Sequence, residues 1–426
     1  MASILLLFGI LFTCITLSLP IGASLGLATV VTIGLTTNIP TVMVNQYAFA
    51  GLDSFPLMAI PFFMLAGNLM AVGGIAKRIV NVCDLLVGKI TGGVGMATVA
   101  ASMFFAAISG SGPATVSAMG TIMLPEMEKR GYDKGFATGL TSSAGTIGVI
   151  IPPSIPFVVY GVVASASIGE LFIAGVVPGL LIGFALMGVC YYISRKRGYK
   201  GIDTSHLKAG AVFLDSIWAL VTPVIILGGI YGGIFTPTEA AVVGTVYSLA
   251  VGIFIYKELT WKAWIDSLRS TAEMTGMVGF PIGFSMAFAN YLALENIPAM
   301  AAGTLTSVIS SEFLLILIIL LFLLIVGLFV DNISSCLILT PVFLPIVTAM
   351  GMNPIHFGVV MTTALAIGFC TPPYGANLFV AAGISGLSIE EIAKASVPFI
   401  AAMLVCLLLI TFFPVLTMGL VGLMRG

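Results

Sequence analysis

No charged residue occurs before Asp53, and uncharged apolar runs recur along the rest of the chain, over 54 to 76, 90 to 125, 135 to 169, 171 to 194, 216 to 238, 240 to 256, 274 to 294, 313 to 330, 332 to 355, 357 to 389 and 395 to 424. About 20 apolar residues cross the hydrocarbon core of a bilayer as a helix, so the segment before Asp53 holds two crossings divided by Pro20 and Gly22. A transmembrane barrel would instead show alternating segments of about ten residues. Hydrophobic residues make up 59% of the 426, and the 49 glycines raise the apolar share to about seven in ten, against roughly 45–50% in globular proteins. With only 8% charged residues there is too little polar surface for a water-soluble fold. Lys and Arg number 16 against 17 Asp and Glu, so no basic domain exists to neutralise a run of phosphates, and nucleic acid is excluded as a partner.

The six cysteines, at 14, 83, 190, 336, 370 and 406, show no CxxC spacing and mostly sit inside apolar runs; they read as small packing residues. His206 and His356 are the only histidines, which argues against a histidine-based metal centre or a Ser-His nucleophile. The first hydrophobic stretch lacks a basic flank and a convincing cleavage site, so the expectation is that it is retained.

Two runs are too long for one span and have polar, glycine-rich or acidic centres: SGSGPAT at 109 to 115 and DNISS at 331 to 335. Reading both as re-entrant hairpins lets the positive-inside rule test the topology. Crossings at 3 to 19, 20 to 37 and 55 to 73, a hairpin over 93 to 126, crossings at 135 to 166, 171 to 194, 213 to 232, 238 to 256 and 272 to 294, a second hairpin over 313 to 350, a return over 356 to 386 and a last crossing at 395 to 420 place 15 of the 16 basic residues on one side. Only Arg425 falls opposite. Treating either hairpin as a full crossing scatters the basic loops over both sides.

Shifting the chain by 220 positions superposes Pro125 on Pro345, Gly131 on Gly351, Gly148 on Gly368, Pro152-Pro153 on Pro372-Pro373, Glu170 on Glu390 and Pro178 on Pro398. Each copy reads as hairpin, helix interrupted by Pro-Pro, acidic turn and long helix. The first hairpin opens inside and the second outside, so the copies form an inverted repeat, which allows two alternative accesses to one site. Segments 75 to 90 and 296 to 311, and 42 to 52 with 258 to 268, are less apolar and read as helices along the membrane surface; Trp261, Trp264, Lys262 and Arg269 suit an interfacial anchor.

Interrupted backbone at membrane depth must be buried in protein or line a polar cavity. Pro-Pro removes two amide donors and breaks the helix, and the half-helix ends then offer carbonyls to a cation such as sodium and amides to an anion. The candidate first sodium site gathers Ser109, Gly110, Ser111, Gly112 and Thr115 of the hairpin tip with Gly145, Thr146, Gly148 and Pro152. The second gathers Asp331, Asn332, Ser334 and Ser335 with Gly368, Thr371, Pro372, Gly375 and Asn377. An anionic substrate is expected between the tips, against Ser111, Pro153, Ser154, Asn332 and Tyr374. Small residues also let membrane helices pack closely, and Asp331, the one central carboxylate, could balance a cation, carry a proton or cap a helix. Asn68 and Asn290 recur in FMLAGN and SMAFAN as helix glue or substrate contacts, while Glu170, Glu239 and Glu390 read as helix starts.

IPFFMLAGNLM (60 to 70), FAAISGSGPATVSAMG (105 to 120), GYDKGFATGL, IPPSIPFVVYG (151 to 161), LFIAGVVPG (171 to 179), DNISSCLILTPVFLPI and TPPYGANLFVA resemble signature segments of the large membrane subunit of tripartite ATP-independent periplasmic (TRAP) transporters. The resemblance covers nearly the whole chain. It implies an all-α polytopic protein of the bacterial inner membrane, with an inverted repeat, two re-entrant hairpins and two Pro-Pro-broken helices arranged as an elevator-type transport domain on a scaffold. It further implies sodium-driven uptake of an organic acid such as a C4-dicarboxylate or sialic acid, a small four-helix membrane subunit and a periplasmic substrate-binding protein as partners, and no enzymatic activity or cofactor other than the coupling ion. The expected division is scaffold and arm at 1–92, hairpin and broken helix at 93–170, long helix and linker at 171–212, second scaffold and arm at 213–311, second hairpin and broken helix at 312–390, and a C-terminal helix at 391–426. The competing transport reading is a stand-alone divalent-anion sodium symporter; a membrane hydrolase lacks a nucleophile with a base, and a purely structural subunit stays open.

Overall fold

The computed structural model describes residues 2–17, 19–201, 209–297, 300, 303, 311–373 and 375–425. Several of its helices start where the sequence supplies a short polar side chain to accept an otherwise unpaired amide. Asp133, Ser167, Thr236, Ser311, Asn353 and Ser388 all cap this way. Glu170 and Glu390 fall in first helical turns, as their positions suggested. Glu239 closes a capping box with Thr236.

The helices are α1 (Ala2–Thr16), α2 (Ile21–Thr36), α3 (Val42–Leu52), α4 (Ala59–Val72), α5 (Ile75–Val87), α6 (Gly93–Ser109), α7 (Gly112–Lys129), α8 (Lys134–Ala144), α9 (Ile155–Val163) and α10 (Ile168–Arg197). They continue with α11 (Ala209–Tyr231), α12 (Pro237–Ala250), α13 (Trp261–Leu294), α14 (Glu312–Gly327), α15 (Asn332–Ala349), α16 (Pro354–Gly368), α17 (Ala376–Ser385), α18 (Ile389–Phe412) and α19 (Val415–Arg425). Among the described residues seven helical stretches are long and apolar enough to cross a membrane. Both hairpins are present as α6 with α7 and α14 with α15, and both broken helices as α8 with α9 and α16 with α17. The fold is therefore all-α and polytopic, with the repeat read from the sequence.

Two segments differ from the sequence reading. The arm at 258 to 268 and the crossing at 272 to 294 are one continuous helix, α13. In the first copy the matching elements, α3 and α4, are separated at Asp53-Ser54, a break with no counterpart in the second. The C-terminal helix expected over 391–426 starts at Ile389, stops at Phe412 before Pro414, and is followed by α19, which folds back on α10. Most of the arm expected at 296 to 311 lies outside the described residues.

Small residues bring the helices together, as expected where lipid supplies no hydrophobic drive for helix association. Gly67 faces the Ser109 backbone, so that a Cβ there would stand 3.0 Å from Ser109 Cα. Gly139 faces Ala395, and Gly95 faces the Cys190 thiol. All six cysteines are buried and unbridged. Helices α1, α2, α3 and α13 share a core around Leu7, Leu25, Val44 and Phe288, separate from the core of the remaining helices.

The basic loops gather at one end. Arg78 of α5 pairs with Glu258 at 2.7 Å and Asp215 at 3.2 Å and lies 3.7 Å from the Tyr256 ring centre. Arg197 reaches Asp133 at 3.2 Å, and the rings of Tyr132 and Tyr199 stack at 4.3 Å. At the same end burial pushes the Asp84 carboxyl up to about 6, against the pull of Arg130. At the far end Tyr160 Oη donates to Pro354 O, and the buried His356 ring bonds to Thr417 Oγ1 and Thr411 O. His206 lies outside the described residues.

Candidate functional site: a cavity at the hairpin tips

Each hairpin turns at the sequence that marked it. In the first, Gly110 adopts φ +62°, a conformation that favours glycine, and its carbonyl accepts from Ile155 N at 3.2 Å. Ser111 caps α7 through Ala114 N, Thr115 Oγ1 donates to Ser111 O at 2.8 Å, and Ser109 Oγ lies 3.1 Å from Thr115 Oγ1. The 3-10 turn Gly145–Val149 ends α8 against this tip. A Cβ on Gly148 would meet Thr115 Oγ1 at 2.5 Å and Ser111 O at 2.6 Å, and one on Gly145 would stand 3.2 Å from Gly112 O. Tip and broken helix are thus in contact through backbone, as the pairing of motifs required.

In the second copy Asp331 caps α15, accepting from Ser334 N at 3.0 Å. Asn332 donates to Thr362 O at 3.1 Å and accepts from the Cys336 thiol. Gly368 packs against the Gly327 backbone, and Thr371 Oγ1 donates to Ile367 O at 2.9 Å. Gly375 has φ +37° at the start of α17. Pro152 and Pro153 are buried whereas Pro372 and Pro373 are exposed, so the two breaks are not equivalent in their surroundings.

Asn377, grouped from the sequence with the second tip, instead crosses to the first. Its Nδ2 donates to Ser142 O at 3.0 Å, while its buried Oδ1 has no partner among the described residues and lies 3.0 Å from where a Gly112 Cβ would be. Thr146 points away from the tip, donating to Ser143 O and touching Met403 Sδ at 3.1 Å. Ser154 is fully buried and bridges the broken helix, donating to Val149 O at 2.6 Å and accepting from Phe157 N. Its hydroxyl is occupied, and it is not among the residues bordering the cavity described next. Tyr374 lies outside the described residues.

Between the tips and helices α4 and α13 lies a cavity of about 370 Å³. Four helices begin on its wall: α7 at Gly112 and Pro113, α9 at Ile155 and Pro156, α15 at Asn332 to Ser334, and α17 at Ala376. The first amides of α9 are taken by Gly110 O and Ser154 Oγ, but all four helix starts carry a partial positive potential, so their convergence suits an anion. Among the described residues no Lys or Arg borders the cavity, and Asp331 is the only charged residue there. Met64 of α4 and Met274 and Met277 of α13 complete it, and nothing in the sequence reading singled them out.

A further set also went unnoticed. Among the described residues, buried hydroxyls at Ser142, Ser335 and Thr363 lack hydrogen-bond partners, and those of Ser143 and Thr362 have only the thiols of Cys370 and Cys336 beside them. Ser142-Ser143 and Thr362-Thr363 stand at the 220-residue offset, which was the signal available. Unsatisfied buried oxygens are uncommon and call for a cause; a hard cation held by oxygen atoms supplies one.

A cavity lined by hairpin tips and helix breaks from two inverted copies, with a few polar groups set among apolar side chains, defines a membrane transport protein. The whole chain supports this class. Residues 8–416 match the tripartite ATP-independent periplasmic transporter, DctM component. The chain is 45% identical over 98% of its length to the isethionate TRAP transporter permease protein DctMQ of Oleidesulfovibrio alaskensis, of which it spans 66%. It is 38% identical to the C4-dicarboxylate TRAP transporter large permease protein DctM of Rhodobacter capsulatus, with 99% of each chain covered. It is 36% identical to the sialic acid TRAP transporter large permease protein SiaM of Vibrio cholerae, covering 98% of this chain and 97% of the relative. In fold it is similar to the crystal structure of the Alcanivorax borkumensis YdaH transporter, with a TM-score of 0.64 at 12% identity over 88% of this chain and 87% of the other. The chain belongs to the DctM family of TRAP transporter large permeases. It is a multi-pass protein of the inner membrane and a transport subunit, not an enzyme.

Proposed function

We propose that this chain carries a small organic anion inward across the membrane, coupled to sodium, by movement of the hairpins and broken helices against the scaffold. The observation behind this reading is the convergence of four helix N-termini on one cavity with no basic side chain among its described lining residues. Amide donors hold a carboxylate or sulfonate without burying a permanent positive charge beside it. The relatives named for isethionate, C4-dicarboxylates and sialic acid support an acid of that size. Asp331, on the same wall, opposes an anion unless a cation accompanies it, which favours symport over uniport.

The reading places one sodium among the first tip, the Gly145 turn and Asn377 Oδ1, and a second among Asp331 to Ser335, Gly368 and the Thr362-Thr363 pair. It assigns the scaffold to α1 to α4 and α11 to α13, and the moving body to α6 to α9 and α14 to α17. A four-helix membrane subunit would buttress the scaffold, and a periplasmic binding protein would deliver substrate. In proteoliposomes containing the partner subunits, Asp331→Asn and Ser109→Ala should each raise the sodium concentration for half-maximal uptake at least threefold. Unchanged sodium dependence in both variants contradicts the site assignments, and uptake that ignores sodium in the unaltered protein contradicts the coupling.

A further inference from the structure

Asn68 and Asn290 stand 222 positions apart at the ends of FMLAGN and SMAFAN, and the cavity at the tips uses neither. Each borders a separate cleft between its scaffold helix and the second helix of a hairpin. Asn68 faces Ser117 and Thr121 of α7 across a cleft of about 230 Å³. Asn290 faces Pro341 and Pro345 of α15 across one of about 320 Å³. Pro341 and Pro345 follow Thr121 and Pro125 by the repeat offset of 220, so these clefts are the same place in two inverted copies.

They lie on opposite sides of the central cavity. The first follows α4 from Gly67 to Val72, toward the corner that leads to Arg78 and the basic end. The second follows α13 from Met286 to Ala293 and reaches Val163, near the far end. Asn68 donates to Thr271 Oγ1 of α13 at 3.1 Å, which puts both asparagines on one axis. The stretch of α13 that borders the central cavity runs from Met274 to Pro281, and at 1.5 Å per residue Thr271 stands about 5 Å before it and Asn290 about 14 Å beyond it.

The chemistry is matched as well. One amide hydrogen of each carboxamide is engaged, by Thr271 Oγ1 and by Met286 O, and a carboxamide has a second to offer. Among the described residues neither cleft has a Lys or Arg in its wall. A neutral donor holds an anion weakly enough to release it, as a transit point requires.

We propose that Asn290 and Asn68 are paired receiving points for the transported anion, Asn290 contacting it from the far side and Asn68 from the basic side. This rests on the transport function proposed above. It assigns to each a substrate contact on one side only, the tips presenting the anion near one asparagine or the other, which stand about 28 Å apart as measured along α13 from Thr271 to Asn290.

The test measures transport from each side separately, using oriented proteoliposomes of the assembled transporter and radiolabelled succinate, sialic acid and isethionate as probes. Asn290→Asp should raise the KM for entry from the far side at least tenfold and leave the KM for exit from the basic side within twofold. Asn68→Asp should do the reverse. Thr121→Asp and Ala289→Asp, which place the same charge in the same clefts without removing an asparagine hydrogen bond, should reproduce each sided effect even if an asparagine variant misfolds. Equal changes from both sides, or none, overturn the inference while leaving the transport reading intact. Failure of the unaltered protein to move any of the three acids overturns that reading and this one with it.

Discussion

At the first hairpin the space for a methyl group decides what position 148 tolerates. Gly148 has Thr115 Oγ1 and Ser111 O within 2.6 Å of any Cβ placed there, and both belong to the tip that the sodium proposal uses. Gly148→Ala should therefore cost about 1–3 kcal/mol by overpacking and displace the tip. Gly188 in α10 has nothing within 4 Å of the point a methyl group would occupy, and Gly188→Ala should be neutral or stabilise by up to about 1 kcal/mol. Thermal unfolding in detergent compares the two; equal behaviour would show that the Gly148 contact is relaxed in solution. Gly148 is legible in the sequence because its partner Gly368 sits at the repeat offset. Asn377 is not, because offset arithmetic locates a residue in its own copy and does not describe contact between copies. Ser154 and Thr146 escape for a related reason: a hydroxyl near a helix break satisfies local carbonyls first, and the partner, Val149 O or Ser143 O, is fixed by a bend whose direction no spacing reveals.

The element that leads from α4 into the first hairpin is α5, and its attachment is electrostatic at one end. The Arg78 side chain is only 13% exposed and binds Glu258 and Asp215, lies over Tyr256, and donates to Gly74 O at 3.0 Å. Arginine's planar fork supports such simultaneous contacts, and lysine's point charge does not. Arg78→Lys and Arg78→Ala should each destabilise the protein by about 2 kcal/mol, adding the lost charge-assisted bonds and cation–π contact. Asp215→Asn should cost less than about 1 kcal/mol, since that partner is 56% exposed. Chemical unfolding of the three variants checks the order; Asp215→Asn matching Arg78→Ala would refute it. Elements of this kind are legible in outline. A separate helix within 75 to 90 is legible from its mixed composition, whereas the fusion of arm and span into α13 is not, because the absence of a breaker between 268 and 272 is a weaker signal than the presence of Pro-Pro.

Across the whole molecule, the two inverted copies meet through Asn377. Its donor holds Ser142 O of the first broken helix, while its own helix, α17, starts beside the second Pro-Pro break. A cation completing the coordination of Asn377 Oδ1 at the first tip therefore also fixes the start of α17 and, through Phe369 O, which accepts from Asn377 N at 3.0 Å, the end of α16. Those segments form one wall of the proposed second ion site, so ordering by the first ion lowers the entropic cost of binding the second, a coupling that must act equally in both directions. Sodium should accordingly raise the unfolding temperature relative to choline, with stabilisation of about 2.7 kcal/mol at 100 times Kd and a Hill coefficient above one. Asn377→Leu fills the space without the oxygen and removes the brace to Ser142. It should bring the Hill coefficient to one and leave a weaker residual response from the second site. A sodium response in that variant identical to the unaltered protein would mean that the contact between copies is packing alone, and that each half binds its ion independently.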